Sequence, residues 1–279
     1  MTMQVCADED DMMAADRGLG KAGFTLVEML VAVAISGILV IAIYTAYVIQ
    51  QKSFVVQEQV AETQQNLRAA MIRLLSEIRQ AGCDPTGTAG AGIVQATATR
   101  FQFTADIGGN AANPNMADGF IGAPATNENI TFGMSTANDA NGNGIADGGV
   151  AGGDWRVPGA LGRDTGGGLQ PAAELIDAVE FNYILIDGTS TNGSGIATAT
   201  QANAAISNPG DIRVVQVSLL ARGARPDPDG KFFDNATYTT AAGTVWIPGD
   251  TNGDGVREVQ DNFRRRFVIV TIQLRNLGL

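Results

Sequence analysis

Residues 29–49, MLVAVAISGILVIAIYTAYVI, run for 21 positions without a charged side chain. As a helix rising about 1.5 Å per residue, this run reaches ~31 Å, the depth of a bilayer's hydrocarbon core. A core helix in a soluble protein is rarely so long and so uniformly apolar. A secretory signal would end in a small-residue cut site just past the run. Here Tyr44-Thr45-Ala46-Tyr47 passes without one, and the helical pattern continues. The segment therefore reads as a retained membrane-spanning helix.

The helix should outlast the membrane. From Gln50 to Gln80 there is neither Pro nor Gly. Val56, Val60, Leu67, Met71, Leu74 and Ile78 recur at helical spacing, so this stretch is expected to lay an apolar stripe on a second layer. Gly82 and Pro85 end it. A coiled-coil stalk is the alternative, but its heptad pattern would have to be more regular than this one.

What precedes the run is more specific. Lys21-Ala22-Gly23-Phe24-Thr25-Leu26-Val27-Glu28 resembles the cleavage site of type IV prepilins and of type II secretion pseudopilins. The resemblance implies that a prepilin peptidase cuts between Gly23 and Phe24 on the cytoplasmic side and that the new Phe24 terminus is N-methylated. The residues suit this. Gly23 leaves the backbone open to a protease, and Arg17 and Lys21 hold the leader on the cytoplasmic face. Glu28 is a carboxylate inside an apolar membrane segment, which is costly and by default functional. The resemblance implies that it pairs with the N-terminal amine of a neighbouring subunit; a glutamate at the membrane edge is the plainer reading. The acidic run Asp8-Glu9-Asp10-Asp11 departs from the short basic leaders of that family, and a start at Met12 or Met13 would restore the usual length.

The remainder reads as β structure. Strands are expected at Thr97–Thr104, Asn129–Met134, Ala178–Ile186, Asp211–Arg222 and Arg266–Arg275, the last three with apolar residues at every second position. Long Gly- and Asn-rich loops fill 106–128, 135–170 and 187–210. Three pieces resemble PilW-type minor pilins and the J-type pseudopilin of type II secretion: LRAAMIRLLSEIRQAGC (67–83), AVEFNYILIDG with DIRVVQVSLLARGARPD (178–188 and 211–227), and FRRRFVIVTIQLRNLGL (263–279). The expected fold is α+β and type IV pilin-like, a long N-terminal helix packed on an antiparallel sheet. The expected division is a cleaved leader (1–23), a transmembrane helix (24–49), its amphipathic continuation (50–83) and a periplasmic or extracellular head (84–279).

Composition closes several functional classes. The chain has no histidine, which removes histidine triads and most zinc sites. Its net charge is −11, with three lysines in all, so nucleic acid is not an expected partner. Cys6 and Cys83 are the two cysteines; with the leader removed, Cys83 is a lone thiol, read as a partly buried small residue or an intermolecular disulfide. No nucleophile stands beside a base in sequence, and Gly193-Ser194-Gly195 lacks the setting of a nucleophile elbow. No enzymatic activity is expected.

One loop carries ligand chemistry. Asp250, Asn252 and Asp254 at positions one, three and five, Gly255 at six, the Val256 carbonyl at seven and Asp261 at twelve fit a Ca²⁺ loop. A tight Asn-Gly/Asp-Gly turn is the competing reading. Asp139, Asn141, Asn143 and Asp147 repeat the spacing with fewer charges.

These features predict a minor pilin that primes a type IV pilus. It would sit in the bacterial inner membrane with its head in the periplasm, then join major and other minor pilins at a filament tip. A type II secretion minor pseudopilin shares the same features. A membrane-anchored, calcium-dependent binding protein or adhesin would keep the anchor and the loop but leave Gly23 and Glu28 unexplained.

Overall fold

The structure is a computed structural model and describes residues 23–108, 117–122, 127–150, 152–192 and 209–277. The expected leader, with Cys6, Arg17 and Lys21, lies outside the described residues, as does Gly193-Ser194-Gly195. The chain divides into two units, Met1–Gln51 and Lys52–Leu279.

The first unit is helical from Leu26 onward, the start of α1 (Leu26–Ile78). Thr25 and Glu28 form a capping box. The Glu28 amide donates to Thr25 Oγ1 at 3.2 Å, and the Thr25 amide donates back to Glu28 Oε2 at 3.3 Å. From Leu26 to Gln51 no side chain is buried, and Val48 alone is half-covered. Helical hydrogen bonds satisfy this backbone internally, the condition for crossing lipid.

In the second unit, α1 turns amphipathic. Its buried stripe is Gln59, Thr63, Leu67, Ala70, Leu74 and Ile78. This corrects the sequence expectation at one end: Val56 and Val60 are only half-buried, and Gln59 and Thr63 take the covered positions. Gly223 backbone packs over this part of the helix, 3.7 Å separating Gln59 Cβ from the position a Cβ on Gly223 would take. Helix α1 stops at a left-handed Gly82, φ +73°, whose amide donates to Thr104 O at 3.0 Å. A side chain at Gly82 would also strike Leu277, 2.3 Å from the position of its Cβ.

Seven strands form one antiparallel path: β1 (Ile93–Ala96), β2 (Arg100–Thr104), β3 (Asn129–Gly133), β4 (Gly159–Asp164), β5 (Gln170–Leu185), β7 (Ile212–Arg222) and β10 (Arg265–Gln273). β6 (Ser190–Thr191) pairs with β5 off this path, and β8 (Tyr238–Thr239) with β9 (Val245–Trp246) makes a separate hairpin. The register between β7 and β10 is unbroken from Arg222↔Arg265 to Val214↔Gln273.

One face of the sheet meets the helix. Phe101, Phe103, Phe132, Phe181, Tyr183, Val215, Val217, Leu219 and Ile272 pack with Leu67, Leu74 and Ile78 in a single core. Each fully buried aliphatic or aromatic side chain contributes about 1.5–3 kcal/mol. The Tyr183 hydroxyl donates to Thr97 O at 2.7 Å, so its polar tip is satisfied. The opposite face is covered too. Trp155, Ala178, Leu220 and Trp246 form a second cluster there, edged by Tyr238 and Phe267.

That second cover explains where the strand expectations fall short. Alternation predicted a solvated face, yet Glu180, Asn182 and Ser218 are buried. Asn182 donates to Gln216 Oε1 and Ser190 Oγ, and Thr244 donates to Glu180 Oε1 at 2.7 Å. β5 also begins at Gln170 rather than Ala178, and β4 lies within the segment expected to be a 135–170 loop. GALGRD carries no alternation; it becomes a strand because β3 and β5 flank it and fill its hydrogen bonds.

Candidate functional site

Two candidate sites stand out, one in each unit. The first is the start of α1. Gly23 and Phe24 precede the helix and are exposed. Four residues on, the Glu28 carboxylate is turned toward the helix N-terminus, where it accepts from Thr25 N–H. Sequence reading singled out Glu28 for its charge and missed the capping role, although Thr-x-x-Glu was legible. Removal of residues 1–23 would place a free amine on Phe24, next to the residue that already donates to this carboxylate.

The second site is the loop after β9. Its base is closed by Glu258 N–H and Val259 N–H donating to Gly249 O, at 2.9 and 3.0 Å. Gly249, at φ +92°, must be glycine, because a Cβ would lie 1.9 Å from Val259 O. Arg257 clamps the outside, donating to Pro248 O, Asn235 Oδ1 and Ala236 O. Within the loop, Asp250 accepts from Gly253 N–H (2.7 Å) and Gly255 N–H (2.8 Å) through its two oxygens. Asn252 Oδ1 accepts from Asp254 N–H, and Asp254 Oδ1 from Val256 N–H. Trp155 Nε1 donates to Asp250 O at 3.0 Å, seating the loop on the covered sheet face.

The carboxylates that converge are Asp250, Asp254 and Glu258, each offering an oxygen within 4.8 Å of the others. This revises the ligand set expected from spacing. Asp261 does not close the loop; both its oxygens are held by Arg265, at 2.8 and 2.6 Å. The buried guanidinium needs them, and Glu258, three residues earlier, occupies the place near Asp250. Glu258 Oε2 also accepts from Thr251 N–H at 2.6 Å. A hard, all-oxygen donor set on a polar loop suits Ca²⁺ rather than a softer metal, and a carboxylate oxygen that accepts one N–H keeps a lone pair for a cation.

The 139–147 loop is organised differently. Asp139 accepts from Asn143 and Gly144 amides, Asp147 from Ala140 and Asn141 amides, and the Asn141 and Asn143 side chains both donate to Asp154. Burial pushes the Asp139 carboxyl up to about 6, against the amide hydrogen bonds and with the Asp147 charge adding to the rise. Asp154 is likewise raised, first by burial.

Arg265 is the residue that sequence reasoning passed over. It is fully buried and binds three carboxylates: Asp177 at 2.7 Å, Asp261 at 2.6 Å and Asp234 at 3.4 Å. Arg222 reaches Asp177 at 3.4 Å, lies over the Phe263 ring at 4.3 Å, and donates to Trp155 O. Burial alone would raise the Asp261 carboxyl, but the hydrogen bonds and charge of Arg265 outweigh it and hold Asp261 below its usual range. Cys83 is half-buried, with its backbone paired to Gln80 and Asp106.

Residues 19–44 match the family model described as the prokaryotic N-terminal methylation motif. No curated protein matches the chain. Among solved structures, the chain is similar to a type IV-like pilin from Thermus thermophilus. The two are 14% identical over 77% of this chain and 96% of that one, with a TM-score of 0.40. The methylation motif begins before Gly23 and runs into an exposed helix long and apolar enough to cross a membrane, so the chain carries a prokaryotic N-terminal methylation motif at the head of a membrane-length helix.

Proposed function

We propose that this chain is a minor pilin that primes assembly of a type IV pilus. The observation that supports this best is the exposed Gly23-Phe24 link, four residues before a carboxylate that is the one charge in residues 24–51 and is aimed at the helix start. A prepilin peptidase cuts that link and methylates Phe24. The apolar half of α1 then holds the protein in the inner membrane with its head in the periplasm. In a filament, the same apolar surface packs against the helices of other pilins. Glu28 neutralises a neighbour's N-terminal amine, two charges that would each be costly alone in an apolar medium. The protein's role on this reading is structural rather than enzymatic.

Mass spectrometry of the mature N-terminus tests the reading, with wild type and Gly23→Ala compared in membrane and sheared-filament fractions. The expected result is an N-methylated Phe24 terminus in both wild-type fractions, lost in the variant. Methylated protein confined to the membrane fraction would move the assignment to a secretion pseudopilus. An intact leader, or a cut beyond residue 49, would sink both and leave an anchored binding protein.

A second reading concerns the head loop. The convergence of Asp250, Asp254 and Glu258 favours a Ca²⁺ site there, with Asn252 and the Val256 carbonyl as further donors. Trp155 donates to the loop and can sensitise a lanthanide probe. Terbium luminescence excited through tryptophan, displaced by Ca²⁺ and lost in Asp254→Asn/Glu258→Gln, is the expected result; an unchanged signal in that variant would remove the site.

A further inference from the structure

The two edges of the large sheet are built unequally. β1 is four residues long, and its register with β2 slips between Ile93 and Gln95. Short, bulged strands are how proteins blunt an edge. β10, at the other edge, has nine residues, no proline and no bulge. One side pairs with β7. Among the described residues, no backbone hydrogen bond reaches Arg266–Gln273 from the other side. Alternate residues of β10 therefore present free N–H and C=O groups outward.

Beside this edge the surface is hollow. A cavity of about 770 Å³ lies between α1 and the start of β10, lined by Gln64, Arg68, Met71, Arg266, Phe267 and Val268. Phe267 and Val268 belong to clusters on opposite faces of the sheet, so a hollow that touches both opens at the strand's edge. A second hollow of about 520 Å³ continues along the helix, the two sharing Ala61 and Gln65. Gln59 lines it. This residue is 4% exposed, and neither its amide oxygen nor its amide nitrogen has a partner. A buried amide left this way costs about 1–3 kcal/mol.

The charges indicate what lies down here. Arg68 and Arg266 are exposed and form no ion pair among the described residues, a basic edge on a chain of net charge −11. Glu58, Glu62 and Arg225 line the second hollow, so the uncompensated positive charge lies in the first. We infer that the β10 edge is a docking site for an extended, acidic segment of a partner protein. The segment adds as a strand to β10 and sets its carboxylates against Arg68 and Arg266. The inference concerns the second unit alone and stands or falls apart from N-terminal processing.

The test uses the full chain in detergent micelles and a fluorescent hexapeptide alternating Glu and Val, with an alternating Lys and Val peptide as control. Anisotropy reads binding, and hydrogen–deuterium exchange reads where it occurs. The Glu peptide is expected to bind and to slow exchange at residues 265–273. Arg68→Glu/Arg266→Glu should weaken it at least about tenfold, more at low salt than at high. Both arginines are exposed, so the double variant should keep the wild-type melting temperature, which separates docking from folding. Equal binding of the two peptides, protection elsewhere, or full affinity in the double variant would overturn the inference. So would self-association that protects β10 while the Glu peptide fails to bind, which would assign the edge to a second copy of this chain.

Discussion

The two units are stabilised by opposite means. Between Leu26 and Gln51 the helix has its backbone satisfied and its side chains uncovered; Leu39 and Ile41, for example, are exposed. Between Gln59 and Ile78 the same helix is covered at every third or fourth residue, and the sheet beneath it is buried on both faces. The apolar residues are alike, but their periodicity is not. A uniform apolar surface needs an apolar solvent or a ring of like helices. A stripe needs one partner layer and finds it within the chain.

The largest effect should come from the charge cluster of the second unit. Arg265→Ala leaves Asp177, Asp234 and Asp261 without their shared cation and should cost about 3–5 kcal/mol in urea unfolding of the second unit. Loss of less than about 1 kcal/mol would mean that water compensates and that the cluster is ornamental to stability. Next, Leu74→Ala should cost about 2–5 kcal/mol, because the side chain is fully buried, whereas Leu39→Ala should change that unfolding by less than about 0.5 kcal/mol. Equal effects would break the comparison outright.

Gly82→Ala should cost about 1–3 kcal/mol through the positive φ and the collision with Leu277, read as a lower melting temperature. A variant that also shortens Leu277 should recover only the steric part.

The pH response should be the smallest and two-sided. Asp139 titrates near 6 in the folded head and near its ordinary value of 3.8 unfolded, so the folded state binds the proton more tightly. That contribution is present in acid and is lost as pH rises through 6, a slope worth about 1–3 kcal/mol at most. Asp261 has the opposite sign. Its folded carboxyl lies below the unfolded value, so its contribution is full above 3.8 and is lost as pH falls below it. Asp139→Asn should flatten the slope between pH 4 and 6 in denaturant titrations and leave the acid limb alone. An unchanged slope would put the proton elsewhere.

The sequence alone determined whatever depends on a local period or a contiguous motif. The apolar run fixed one long helix, and alternation fixed the cores of β5, β7 and β10 to within a few residues. Gly23-Phe24 followed by Glu28 marked the N-terminal motif, because each residue acts through its neighbours in the chain. Tertiary structure decided what depends on residues far apart. β4 exists only between β3 and β5, and Glu180 and Asn182 are buried only because loops cover the second face. Asp261 was placed in the cation loop by its spacing and was claimed instead by Arg265, whose buried charge also needed Asp177 from β5. Glu258 stands near Asp250 because the loop folds back on Gly249. Spacing along the chain records which groups could meet, but a buried guanidinium settles which carboxylates do, because leaving it unpaired costs more than any loop geometry returns.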